Sequence, residues 1–461
     1  MSRPERPRAA AETNRPGAVA ARVKARPMPL SAVVFLMATM TGCAAQLPAP
    51  PATMAVASDE AYLPALQSLL DGYVRSGKMP GVVAAIGRGD APPTFVSAGS
   101  IAQDGDAPPA GPDTLWRIYS MTKPVTAVAA MMLVEEGKLG LDQPISDLIP
   151  AFGQMHVLDS PATSLDSHPA TTAITTRHLL THSSGLAYQF LGKGPVYQAY
   201  KRLGLFGGRA RGKEGEAQPP TLAAFADRAA TLPLLAEPGT EWHYSISTDI
   251  LGRVVEVASG LPLDRFVQTR ILDPLGMRST FWTVPEGETG RLSTNYLWAE
   301  DRLVPIDGGA GSEWVDPPRL PYGGSGLVSS ARDYDRFLQM LAGGGEAGGV
   351  RILQPETVRL SLSNLLPEGV KISGNSAPDT ARAEGFGAGG WVYLADVPGG
   401  VRSGTYGWFG AAGTIAFIDR KSRLRVTIMA NYFPADKWPV HADVIRVLYS
   451  APDRGRQDDS D

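Results

Sequence analysis

Apolar residues bunch into short runs broken by polar turns at both ends of the chain, and follow a helical spacing in its middle. Val82-Val-Ala-Ala-Ile-Gly-Arg88 and Thr94-Phe-Val-Ser-Ala-Gly99 flank a Gly/Pro-rich break and predict a β-hairpin. Thr414–Ile418 and Arg425–Asn431 alternate apolar residues across an Asp419-Arg-Lys-Ser turn and predict a second hairpin, with a further strand at Trp391–Leu394. From Val125 to Glu136 the apolar positions recur at helical intervals and stop at Gly137, a residue suited to a helix C-terminus. Helices are also predicted over Thr176–Thr181, Thr221–Ala230, Ser247–Ala258 and Ala331–Leu341. Gly204–Pro220, rich in glycine and charge, reads as a mobile surface loop. Strands at both ends with helices between them predict an α+β protein, an antiparallel sheet interrupted by a mainly helical part. No internal repeat is visible.

Composition narrows the class. With 461 residues the chain is long enough for one large or two intimately packed domains. Apolar residues at 43% and charged residues at 19% exclude a wholly disordered chain and a coiled coil. The formal net charge is −3 and no long basic block occurs, which argues against a nucleic-acid binder. The 51 glycines and 39 prolines predict many turns. There is one cysteine, Cys43, so no intrachain disulfide, Cys-based iron–sulfur site or zinc ribbon can form. The six histidines include one His-x3-His spacing, His178 and His182, but no His-Glu-x-x-His, and no metal or cofactor is expected.

The N-terminus reads as an export address. A basic stretch ending at Arg26 precedes the apolar run 30–41, too short for a stable bilayer span but suited to a signal-peptide core. It closes in Met40-Thr-Gly-Cys43, which resembles a bacterial lipobox, so Cys43 is expected to carry a lipid. The reading is a lipoprotein signal peptide over 1–42, a flexible tether over 43–58, a catalytic domain over 59–450 and a disordered tail over 451–461. Within 59–450 the sheet part is expected at about 59–125 and 300–450, and the helical part at about 126–299. Localisation follows as the bacterial periplasm or cell envelope, with membrane contact only through the lipid.

Chemistry concentrates at Ser120-Met-Thr-Lys123. No Gly-x-Ser-x-Gly occurs, which argues against an α/β-hydrolase nucleophile elbow. A Ser-x-x-Lys opening a helix sets the two side chains on one face, with Cβ atoms about 5–6 Å apart. The helix N-terminus adds backbone N–H groups for an oxyanion. For Lys123 to work as a base it must be neutral part of the time, and only a buried cleft supplies the roughly 4 kcal/mol required.

Several segments, in order, resemble the serine β-lactamase and penicillin-binding superfamily. They are Trp116–Leu139 around Ser120, Leu141–Pro150, Thr175–Leu186 and Tyr322–Asp335, and the likeness runs from about 62 to 448. The resemblance implies that fold, an acyl-enzyme on Ser120, and Lys123 as its partner. It also implies Tyr244, in Tyr244-Ser-Ile-Ser-Thr-Asp249, as the group that shuttles the proton of Ser120 with the Lys123 charge nearby. Ile246 replaces the Asn of the family's second motif, and Trp408-Phe409-Gly410 replaces the third, Lys-Thr-Gly or His-x-Gly. That Trp-x-Gly is similar to the family VIII carboxylesterases, which prefer neutral esters. The same match implies Trp408, Phe409 and Gly410 as substrate contacts, and the backbone N–H groups of Ser120 and Ala411 as the oxyanion hole. His178 and His182 are expected to cap or brace helices, Glu313, Trp314 and Trp391 are candidates for an acyl pocket, and Ser325 reads as a turn residue. The function expected is an exported serine hydrolase of short or medium acyl esters, with a small-molecule ester as its partner. The alternatives are a β-lactamase or D-Ala-D-Ala carboxypeptidase of the same fold, or a non-catalytic envelope binding protein.

Overall fold

The computed structural model describes residues 61–206, 218–309, 311–315, 320–372 and 384–450. The expected leader (1–42), the tether (43–58) with Cys43, the tail (451–461) and positions 207–217 of the expected loop lie outside the described residues.

Seven strands form one antiparallel sheet. β1 (Gly81–Arg88) and β2 (Thr94–Gly99) are the first predicted hairpin, with Val83 opposite Ser97. β3 (Glu384–Phe386), β4 (Trp391–Tyr393), β5 (Tyr406–Gly410), β6 (Thr414–Asp419) and β7 (Leu424–Met429) follow late in the chain. The order across the sheet is β3-β4-β5-β6-β7-β1-β2, so the N-terminal hairpin docks on the last strand. The β6–β7 turn forms where the sequence predicts it, because the Asp419 carboxylate accepts hydrogen bonds from the Ser422 amide (3.1 Å) and hydroxyl (2.9 Å). Both faces of the sheet are covered, which explains why β1 reads as a continuous apolar run instead of an alternating one. Val83 and Ala85 join the core on one face, and Val82, Ala84 and Ile86 join the core on the other.

The outer face is closed by α1 (Leu63–Arg75) and by the last helix, α8 (Val440–Ser450), through Leu66, Leu70, Val444 and Leu448. The inner face carries α2 (Thr122–Glu135) and, beyond it, α3 (Thr176–Leu180), α4 (Leu222–Ala230), α5 (Ser247–Ser259) and α6 (Leu263–Val267). α7 (Ala331–Ala342) lies against β7 and β1. The helical spacing over Val125–Glu136 suggests one apolar face, yet α2 is buried on every side from Thr122 to Leu133. It is sandwiched between the sheet and the helical layer, so its polar members need internal partners. Thr126 Oγ1 donates to the Gly323 carbonyl (2.7 Å) and Thr122 Oγ1 accepts from the Leu327 amide (3.1 Å), tying α2 to the glycine-rich segment 322–327. Beyond the C-cap Glu136, Gly137 takes a left-handed φ of 67°, the terminator predicted for it. A smaller sheet pairs Asn295–Ala299 with Arg302–Asp307 and, in parallel, with Tyr432–Phe433.

A buried ion pair bolts α7 to the sheet. Arg425 on β7 grips Asp335 with two bonds, Nε to Oδ1 at 3.0 Å and Nη2 to Oδ2 at 3.1 Å, and both side chains are fully enclosed. Burial pushes the Asp335 carboxyl up, and the Arg425 hydrogen bond opposes it. Asp335→Ala would strand the guanidinium in the core. A loss of about 3–5 kcal/mol in unfolding free energy is expected from denaturant titration, eased only by the Arg425 bonds to the carbonyls of Gly89 and Ala91.

Candidate active site

Ser120 does not open α2 itself. It sits in the 3-10 turn Tyr119–Met121 just ahead of it, and Lys123 is in the first turn of the α-helix. Tyr119 adopts φ 41°, a left-handed conformation that costs a bulky residue free energy and persists only when its surroundings hold it. They do: its hydroxyl accepts from Asn295 Nδ2 (2.8 Å), and its ring meets Trp314 and Phe433 edge-on, with centroids 5.5 and 5.4 Å away. The i, i+3 relation predicted for Ser120 and Lys123 survives the change of helix type, because one tight turn still stacks the two side chains.

Two groups converge on the Ser120 hydroxyl oxygen. Tyr244 Oη donates to Ser120 Oγ at 2.7 Å, and Lys123 Nζ donates to the same oxygen at 3.3 Å. Lys123 is fully buried, and its Nζ also donates to Tyr188 Oη (3.2 Å) and to the Gly324 carbonyl (2.7 Å). The nitrogen lies 4.7 Å from the centroid of the Tyr244 ring and 5.5 Å from that of Tyr188, over their electron-rich faces. A hydroxyl held this way beside a phenol and an amine is equipped for nucleophilic attack.

The half-buried Tyr244 is fixed by the rings around it. His182, Tyr188, Trp408 and Trp242 have centroids 4.7, 5.2, 5.5 and 6.2 Å from it. His182 is buried with φ 57°, and its Nδ1 accepts from the backbone N–H of Ser245, the residue after Tyr244 (3.3 Å). Burial and then the Lys123 charge hold the imidazole pKa well below the usual histidine range, so it stays neutral. It braces the tyrosine. His178 caps α3 reciprocally with Thr175, as expected of it.

Trp408 lies beneath Tyr244, buried among Phe386, Trp391 and Phe409, with centroids 5.1, 5.3 and 4.9 Å away. Its Nε1 is buried with no hydrogen-bond partner among the described residues. Phe409, stacked on it, is the half-exposed ring of the pair. A Cβ on Gly410 would stand 2.4 Å from the Ile118 carbonyl oxygen and 2.2 Å from Thr414 Oγ1, so only glycine lets β5 run this close to the Ser120 turn. Ala411 is the exposed residue of the turn that closes when the Gly413 amide donates to Gly410 O (3.2 Å). Trp314 and Trp391 are core aromatics, Glu313 is half-buried, and Ser325 is buried in the glycine-rich segment.

Sequence reasoning missed three members of this cluster: Tyr188, Asp249 and Gly324. Tyr188 is buried, and burial with the nearby Asp249 charge keeps it a neutral phenol well above its ordinary pKa. Asp249, in the first turn of α5, is fully buried; its Oδ1 accepts from the Gly324 amide (2.9 Å) and its Oδ2 has no partner among the described residues. Burial pushes its carboxyl up to about 6, against the pull of the Lys123 charge and backbone N–H groups. The signal available was positional: an acid five residues beyond Tyr244, followed at once by the apolar Ile250-Leu251.

The Beta-lactamase family model matches residues 66–449. The chain is a member of the Beta-lactamase family. It is 39% identical over 330 residues to Protein Rv1367c of Mycobacterium tuberculosis, covering 70% of this chain and 78% of that one. Esterase EstB of Burkholderia gladioli is 31% identical over 387 residues, 79% of this chain and 89% of EstB. Among solved structures, EstCE1, described as a hydrolase with promiscuous acyltransferase activity, superimposes with a TM-score of 0.69 at 26% identity, over 85% of this chain and 99% of EstCE1. With such esterase-type relatives in the Beta-lactamase family, the chain is a serine hydrolase with the β-lactamase/transpeptidase fold, related to the family VIII esterases.

Gly410→Ala tests the approach of β5 to the Ser120 turn. The added methyl must displace backbone, so hydrolytic kcat/KM should fall about tenfold or more while circular dichroism stays that of the folded protein.

Proposed function

We propose that the chain hydrolyses neutral carboxylic esters of short to medium acyl length through an acyl-enzyme on Ser120. The observation that carries this reading is the placement of Ser120 Oγ 2.7 Å from Tyr244 Oη and 3.3 Å from the buried Lys123 Nζ. In this reading the Lys123–Tyr244 pair takes the hydroxyl proton as Ser120 Oγ attacks the ester carbonyl. The tetrahedral oxyanion accepts hydrogen bonds from the backbone N–H groups of Ser120 and Ala411, each such donor being worth about 3–4 kcal/mol. Tyr244 hands the proton to the departing alkoxide, the alcohol leaves, and water activated at the same phenol releases the acid.

Neutral esters are favoured over lactams and peptides because, on the family resemblance, Trp408 and Ile246 replace the motif residues, a cation and an amide, that suit an anionic substrate. The half-exposed Phe409 gives the acyl group an apolar contact. EstB bears the name esterase, which supports the same chemistry here. The apolar run 30–41 ending at Cys43 further supports export to the bacterial cell envelope with a lipid on that cysteine.

Two measurements test these readings. On a panel of p-nitrophenyl butyrate, a chromogenic cephalosporin and a D-Ala-D-Ala peptide, the butyrate should give the largest kcat/KM. Ser120→Ala should abolish turnover, and Tyr244→Phe should lower kcat by about 10²–10⁴. A larger kcat/KM for the cephalosporin would replace the esterase reading with the lactamase one, and turnover retained in Ser120→Ala would remove the nucleophile. Expressed in a bacterial host, the wild type should sediment with membranes and Cys43→Ala should be recovered in the soluble fraction.

A further inference from the structure

Lys123 Nζ has three hydrogen-bond acceptors, Ser120 Oγ, Tyr188 Oη and the Gly324 carbonyl, which match the three donors of an ammonium. The carbonyl can only accept. A buried cation needs a counter-charge, and Asp249 is where one is found. Its carboxylate receives the amide of Gly324, the same residue whose carbonyl takes the Lys123 bond, so carboxylate and lysine grip one residue from its two ends. A Cβ on Gly324 would stand 2.7 Å from Asp249 Oδ2 and 3.1 Å from Tyr188 Oη, so the unpartnered oxygen faces the lysine's own surroundings. The charged or titratable groups that act on the carboxylate are Lys123 of α2 and the phenol of Tyr188; Tyr244 and the neutral His182 stand one step further off, beside Tyr188 and Lys123. α4 and α6 meet the next turn of α5 with the apolar side chains of Leu222 and Leu263.

We propose that Asp249 is a positioning residue that keeps the proton shared by Lys123 and Tyr244 on Lys123 Nζ, so that Tyr244 Oη is the atom that takes the proton from Ser120. The proton balance closes. In the reactive form the pair holds one proton, on the ammonium, so the 2.7 Å bond that Tyr244 Oη donates to Ser120 Oγ is reversed and the Ser120 hydroxyl donates to the phenolate; the Ser120 proton passes to that phenolate as the Oγ–carbonyl bond forms; and the phenol returns it to the leaving alkoxide. Asp249 touches neither substrate nor reacting atoms. It acts through Gly324 and through its charge.

The sign of the pH dependence follows. Burial raises the carboxyl from its ordinary 3.8 to about 6, so the counter-charge is present above that pH and lost as pH falls through it. The folded state binds this proton more tightly than the unfolded chain, so the ionised form costs stability at neutral and higher pH. Removing the charge should therefore slow the chemistry and take the inflection near pH 6 away with it, a combination that a purely structural role does not produce.

The test is Asp249→Asn, whose side-chain oxygen can still accept from the Gly324 amide. The readout is the rate at which a fluorophosphonate labels Ser120 between pH 5 and 9, together with Tm at pH 8. The wild type should lose rate as pH falls through about 6. The variant should label at least tenfold more slowly at pH 8 and lack that inflection, while its cooperative melting shows that it is folded. A variant with the wild-type rate, or with the inflection unmoved, would overturn the proposal. A wild-type profile flat from pH 5 to 7 would overturn it too, which keeps it decidable should the variant not fold. The inference rests on Ser120 as nucleophile, and that reading fails separately: the wild type would then not label at all.

Discussion

The enclosure of Lys123 governs the molecule's architecture around the site. An amine removed entirely from water is expensive unless each of its hydrogen bonds is made, and here the acceptors come from three separate stretches: the Ser120 turn, Tyr188 after α3, and the glycine-rich segment at Gly324. Those stretches belong to the sheet side, the helical layer and the link between them. They must meet within hydrogen-bond reach of one nitrogen, and α2, buried on every side, is the element that carries that nitrogen to the meeting point.

Around this centre the packing is aromatic and stiff. Tyr244 is held by rings on several sides, and His182 accepts the amide of the next residue, so the phenol has little freedom to leave Ser120. Tyr119 holds a left-handed backbone immediately before the nucleophile, kept there by Asn295 and two edge-on rings. Pre-set groups of this kind need not reorganise as charge develops on a reacting carbonyl, which is the property that makes a dry site effective. Gly410 belongs to the same scheme, since its missing side chain lets the sheet edge approach the Ser120 turn.

Much of this was legible in the chain. Both hairpins, the helices over 176–181, 221–230, 247–258 and 331–341, and the stop at Gly137 follow from local rules of spacing and turn chemistry, which need no knowledge of distant contacts. Ser120 and Lys123 are legible because a Ser-x-x-Lys spacing sets both on one helix face, and Tyr244 because the family resemblance implies it. Tyr188, Asp249 and Gly324 were not, because their importance lies in reaching Lys123 across 65, 126 and 201 positions of sequence. Nothing in the residues beside them announces that meeting. Trp408 shows the same limit: its motif position marked it as a substrate contact, whereas the fold buries its ring under Tyr244 and leaves Phe409 half-exposed.

Sequence alone determined what is short-range: which segments become strands or helices, where they stop, and which residue types stand ready for acyl transfer. Tertiary structure alone decided that α2 would be wrapped on all sides, that Ser120 would sit in a tight turn ahead of the helix, and that a carboxylate would share Gly324 with the lysine. The reason is physical. Propensity and capping act over one or two turns of chain, whereas burial and charge balance depend on every element packed against a site.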